Sequence, residues 1–138
     1  MSIVRYASIR GLLTLALLLP GCGKQDPNRG TVSGIVEVDG QPVAQGAIAF
    51  TPIDGNTAAS GGNIVDGRYS VIANIGPSKV AINVPQVVGQ RKLYDTPDSP
   101  VRPVVEELLP AEYNDQTTLT CDVKPGPNQQ NFSLKTRK

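Results

Sequence analysis

Beyond residue 22 the chain is broken by glycine and proline too often to sustain a helix of any length. The 14 glycines and 12 prolines approach a fifth of the 138 residues. Between them lie short runs in which apolar and polar residues alternate, the period of a half-buried strand. Residues 31–38 place Val32, Gly34, Val36 and Val38 on one parity, with Ser33 and Glu37 on the other. Residues 78–84 alternate most cleanly, with Val80, Ile82 and Val84 set against Lys79, Ala81 and Asn83. Further strands are expected at 47–52 (Ile48 and Phe50 inward), 68–72 (Tyr69 and Val71 inward), 117–123 and 131–134 (Phe132 and Leu134 inward). Asp39-Gly40 and Asp66-Gly67 are turn dipeptides whose glycine accepts positive φ. Gly76-Pro77 and residues 125–128 break the chain again. The stretch around 57–60, between Asp54-Gly55-Asn56 and Gly61-Gly62, fits an edge strand or a loop equally well. About seven short strands, no helix and no internal repeat imply an all-β fold, an antiparallel sandwich.

One segment resists this pattern. Residues 85–110 carry prolines at 85, 97, 100, 103 and 110. They are expected to be irregular, with room for at most one helical turn over 104–109. Irregular segments of that length inside a compact domain are often functional or mobile. The contact surface is therefore expected in residues 86–105, with Arg91, Lys92 and Tyr94 as its candidate binding residues.

The N-terminus follows a different plan. Arg5 and Arg10 form a positive region, residues 12–19 are apolar except for Thr14, and Gly21 precedes Cys22. That is the layout of a secretory signal peptide, and the apolar run is far short of the ~20 residues of a membrane-spanning helix. Leu19-Pro20-Gly21-Cys22 resembles the lipobox of bacterial lipoproteins, with Pro20 where the pattern usually carries Ala or Ser. The resemblance implies cleavage between Gly21 and Cys22 and acylation of Cys22. The chain then divides into a signal peptide (1–21), a polar tether (22–29) and one domain (30–138). The seven tether residues after Cys22 reach at most about 25 Å, which would hold the domain close to a bacterial membrane.

Charge and composition exclude several function classes. The formal charge of +1 loses Arg5 and Arg10 on cleavage, leaving −1. A near-neutral chain lacks the concentrated basic face of a nucleic-acid binder. No histidine is present, so Ser-His and Cys-His nucleophile pairs and imidazole zinc sites are out of reach. Lipidation would consume the Cys22 thiol and leave Cys121 unpaired. Cys121 alternates with Leu119 and Val123 and is expected to be a small buried residue on a strand. Asp54, Asn56, Asp95, Asp98, Asn114 and Asp115 are oxygen ligands in loops, but lack the dense alternation of a calcium loop. They are expected to form turns, and neither a metal nor a cofactor is expected. Glu106, Glu107 and Asp122 are the acids a carboxylate-based hydrolase would need. With no Trp in the chain, Tyr94 and Tyr113 are the residues on which a sugar could stack.

From Gly34 to Val43 the chain runs Gly-Ile-Val-Glu-Val-Asp-Gly-Gln-Pro-Val, followed by Ala47-Ile48-Ala49-Phe50. It resembles there the carboxypeptidase regulatory-like family, whose members open with a Gly-x-Val strand, Asp-Gly-x-Pro-Val, and x-Ile-x-Phe. Asp66-Gly67-Arg68-Tyr69 is similar to the family's later Asp-Gly-x-Tyr strand. Residues 76–82 are similar to its Pro-Gly-x-Tyr-x-Val hairpin, with Gly and Pro exchanged and Lys79 at the Tyr. Residues 109–123 resemble the ends of small bacterial lipoproteins carrying this domain alone. The resemblance covers residues 30–134. It implies a Greek-key sandwich of transthyretin-like topology and a non-catalytic accessory or interaction domain, with no catalytic residues. The expectation is a lipid-anchored cell-envelope protein, on the periplasmic face or the cell surface, not an enzyme. Its partners would be the membrane through Cys22 and an envelope protein or glycan, and no nucleic acid. The alternatives are a carbohydrate-binding accessory domain and a carboxylate-based hydrolase.

Overall fold

Two Asp-Gly turns set the frame. In the computed structural model, which describes residues 23–24 and 26–136, Asp39 and Gly40 have φ of 51° and 80°, and Asp66 and Gly67 have 50° and 76°. Positive φ at both central positions is the geometry whose twist matches that of paired strands. The first turn folds β1 (Arg29–Val38) back into the two-residue β2 (Gln41–Pro42). The second joins β4 (Ser60–Val65) to β5 (Arg68–Asn74).

The remaining strands are β3 (Gln45–Pro52), β6 (Gly76–Asn83), β7 (Pro85–Lys92), β8 (Val101–Glu107), β9 (Thr120–Val123), β10 (Gly126–Gln129) and β11 (Phe132–Leu134). The main sheet runs β10-β1-β5-β4-β3-β6-β9, with β2 and β11 also on β1. It is antiparallel except where β10 and β11 lie parallel to β1. The sheet curls into a half-barrel and buries one parity of each main strand. Val32, Val36, Ile48, Phe50, Ile64, Tyr69, Val71, Val80, Ile82, Val123, Phe132 and Leu134 fill its concave side. The alternation read at β1, β3, β5, β6 and β11 is the alternation of this core. Complete burial of a side chain the size of Phe50 is worth roughly 1.5–3 kcal/mol.

Gly34 sits where β1 changes partners, from β10 to β11 along one edge. The connection between those strands crosses directly above it. An added Cβ would lie 1.8 Å from the Gln130 carbonyl oxygen, so only glycine fits.

Three expectations are corrected. The described residues form eleven strands, not about seven. Residues 85–107 are an antiparallel ribbon, not an irregular loop, and 104–109 is strand as far as Glu107; the helical turn comes later, a 3-10 turn over Ala111–Tyr113. Residues 126–129 extend along β1 as β10, not as a turn. The stretch at 57–60, which by sequence fits an edge strand or a loop, is loop at 57–59; Ser60 opens β4, which is interior to the sheet between β3 and β5. Gly61 and Gly62 permit this: a Cβ on Gly62 would lie 2.7 Å from the Val71 side chain.

Candidate functional site

β6 does not end at the sheet. Val84, buried, is followed at once by Pro85, and the chain leaves as the β7–β8 ribbon. Every residue of β7 is exposed, and in β8 only Val104 is half-buried. The ribbon's main contacts are between its own two strands. A lone two-stranded ribbon is marginal in water, so its ends must hold it.

The root is held by Glu107. Its Oε1 accepts from the Val84 N–H at 2.8 Å and the Leu109 N–H at 3.1 Å, and its Oε2 from Asn83 Nδ2 at 3.2 Å. The Leu108 N–H donates to the Val84 carbonyl at 3.0 Å. Leu109 itself is buried in the core. The tip, residues 93–100, is closed by the Leu93 N–H on the Pro100 carbonyl at 3.0 Å and the Tyr94 N–H on Ser99 Oγ at 2.7 Å.

Register sets the two faces. Gln86 pairs with Glu106, Val87 with Val105, Gly89 with Val104, Gln90 with Pro103, Arg91 with Arg102 and Lys92 with Val101, with Val88 bulged out. Directly paired residues share a face. One face therefore carries Arg91, Gly89 and Gln86 beside Arg102, Val104 and Glu106. The other carries Lys92, Gln90 and Val87 beside Val101, Pro103 and Val105. The bulge in β7 and the proline in β8 are both devices that blunt an open strand edge. The faces are left as the surfaces on offer. Val87, Val101 and Val105 are more than half exposed, and Tyr94 at the tip is 66% exposed.

Arg91 stands directly across from Arg102. Like charges so placed destabilise a cross-strand pair, and no ion pair engages either arginine among the described residues, where Lys124–Asp122 is the one salt bridge. A hollow of about 330 Å³ opens beside them, lined by Arg91, Leu93, Arg102, Pro103, Val104 and Val105.

The structure thus gathers Arg91, Lys92 and Tyr94 on one ribbon and adds Arg102, which sequence reasoning missed. The basic residues flanking the proline-rich tip were its only signal. Cys22, Gly21 and the rest of the signal-peptide and lipidation assignments lie outside the described residues. The tether's far end is placed: the Ile75 N–H donates to the Asn28 carbonyl at 3.1 Å, and Arg29 pairs with Asn74. That is the end where β6 begins, at Gly76. The ribbon leaves from the other end of β6, eight residues or roughly 26 Å away.

The acids are dispersed. Glu107 is engaged at the ribbon root beside Val84, while Asp122 pairs with Lys124 and lies in register with Pro77 near the start of β6. Seven residues of strand, about 23 Å, separate these two levels, so Glu106, Glu107 and Asp122 do not converge. Asp54 forms a turn. Hydrogen bonds from the Asn56 N–H, the Thr57 hydroxyl and the Thr57 N–H hold its carboxyl below the usual value. Asn114 is buried, its Oδ1 accepting from the Asp115 N–H at 2.7 Å. No group of three or more acidic or cysteine side chains is placed to hold a metal among the described residues. Cys121 is half-buried on β9 against the core, and burial, with Asp122 second, raises its thiol pKa. Tyr113 is likewise half-buried against the core.

No protein-family model matches the chain, and no curated protein matches it. Among solved structures, a 9R-lipoxygenase from Cyanothece PCC8801 is similar over 79% of this chain at 10% identity, with a TM-score of 0.39. The chain spans 16% of that protein's length. A likeness this distant carries neither fold nor function.

Proposed function

We propose that the protein is a lipid-anchored cell-envelope lipoprotein whose domain, a Greek-key sandwich of transthyretin-like topology, is a non-catalytic binding or structural module. Its contact surface is the β7–β8 ribbon. The observation that carries this is the exposure of Val87, Val101 and Val105 on a ribbon that buries neither face, where an isolated hairpin gains nothing from water. The tether joins the opposite end of the body, so an anchor at Cys22 would present the ribbon away from its own membrane. The partner is then an envelope macromolecule and not the anchoring bilayer. The apolar face favours a protein over a glycan, since among the described residues Tyr94 is the one ring free for stacking while Tyr113 packs on the core.

Two experiments test this. The mass of the mature N-terminal peptide, beside a Cys22→Ala control, should show a diacyl or triacyl group on Cys22; an unmodified thiol would remove the anchor. Replacing residues 88–103 by a two-residue Asn-Gly turn should leave a folded domain that loses its co-purifying envelope partners. Retention of all of them would remove the contact role.

A further inference from the structure

The charged face of the ribbon is complementary to itself. Along β8 it runs Arg102, Val104, Glu106 in even steps of two residues, and along β7 the paired positions are Arg91, Gly89 and Gln86. Cations stand at the tip end and a carboxylate at the root end, with a small apolar pair, Gly89 and Val104, between them. Glu106 is exposed and, like both arginines, forms no ion pair among the described residues.

The geometry points to a second copy of this chain docked on this face, the two ribbons antiparallel about a two-fold axis through the Gly89–Val104 level. It rests on the contact role proposed above for the ribbon, but uses the opposite face. The rotation lays Val104 on Val104 of the second copy. It brings Arg102 of each copy over Glu106 of the other, and Arg91 over Gln86. The carboxylate thereby enters the hollow beside Arg91 and Arg102 and relieves the like-charge pair. A parallel arrangement would set Arg91 over Arg102 of the second copy and is repelled. Gly89 has no atom within 4 Å of where a Cβ would stand, so the axis is open to close approach. One ribbon face is smaller than the roughly 1,200 Å² of total area typical of stable interfaces. The association is therefore weak and sensitive to salt. A shared membrane would raise its effective concentration.

The test uses the full chain expressed in a bacterial envelope. Val104→Cys lies on the axis and should form a symmetric disulfide dimer on oxidation, beyond the background of the parent chain with Cys22 and Cys121. Val105→Cys, on the other face, should not. Arg102→Glu and Glu106→Arg, each combined with Val104→Cys, should each lower the cross-linked fraction about tenfold, an effect near 1.4 kcal/mol. Co-expressing these two chains under different tags should restore the cross-link, in the mixed dimer only, because each supplies the charge the other lacks. Equal cross-linking at Val104→Cys and Val105→Cys, or no rescue in the mixed pair, would overturn the proposal. So would anionic phosphatidylglycerol vesicles capturing the chain through Arg91 and Arg102. The contact role is separated by Val87→Ser/Val105→Ser: if that change releases envelope partners while Val104→Cys never cross-links, the ribbon keeps its role and the second copy is lost.

Discussion

The Tyr69 hydroxyl on β5 donates to the Gln130 carbonyl at 2.6 Å, across 61 residues of chain. The ring lies between Phe50 and Phe132, each with its centroid 6.2 Å away. One side chain thus ties the crossing between β10 and β11 to the core of the sheet. Tyr69→Phe keeps the ring and leaves a half-buried acceptor short of a donor. It should cost about 1–1.5 kcal/mol, read as a lower urea midpoint with an unchanged slope.

The same crossing covers Gly34. Gly34→Ala puts a methyl within 1.8 Å of the Gln130 oxygen, where backbone and not a flexible side chain must yield. The expected loss is about 3 kcal/mol, with β10 and β11 showing the greatest rise in amide exchange. A stability within a few tenths of the parent would mean that the crossing moves freely.

Glu107 should act on the ribbon more than on the body. Glu107→Ala leaves the Val84 and Leu109 N–H groups without their acceptor and should cost about 2 kcal/mol. Protease cleavage within 86–105 should quicken while the β1–β5 core keeps its exchange protection. Glu107→Gln, which retains one acceptor oxygen, should fall between the two.

Alkaline pH should weaken the fold through two groups. Burial raises the Tyr69 hydroxyl pKa well above its usual value, with Cys121 a lesser cause, and burial likewise raises that of the Cys121 thiol. A raised folded pKa means that the stability is complete below the unfolded value and is lost as pH rises through the folded one. Thermal midpoints should therefore fall as pH climbs beyond the ordinary thiol range, and Cys121→Ala should remove the first part of that fall. The thiol should also react slowly with a disulfide reagent in the native chain and rapidly in urea.

Much of the body was legible in the sequence. The parity of Val32, Val36 and Val38, of Val80, Ile82 and Val84, and of Phe132 and Leu134 is the inward parity of the half-barrel, because a sheet buried on one face writes its period into the chain. Asp39-Gly40 and Asp66-Gly67 specify their turns because positive φ at both central positions is costly for most side chains. Tertiary structure alone decided the ribbon. A strand pair exposed on both faces shows no alternation, and of the prolines at 85, 97, 100, 103 and 110 all but two lie in the tip or beyond the strands: Pro85 opens β7 and Pro103 sits within β8. It also decided that β10 runs parallel to β1 and that β4 lies inside the sheet despite Gly61 and Gly62, since partners distant in sequence supply the hydrogen bonds and contacts that local propensity lacks. The placement of Arg102 across from Arg91, and of Glu106 two steps beyond Val104, is likewise a matter of register, which no single strand carries by itself.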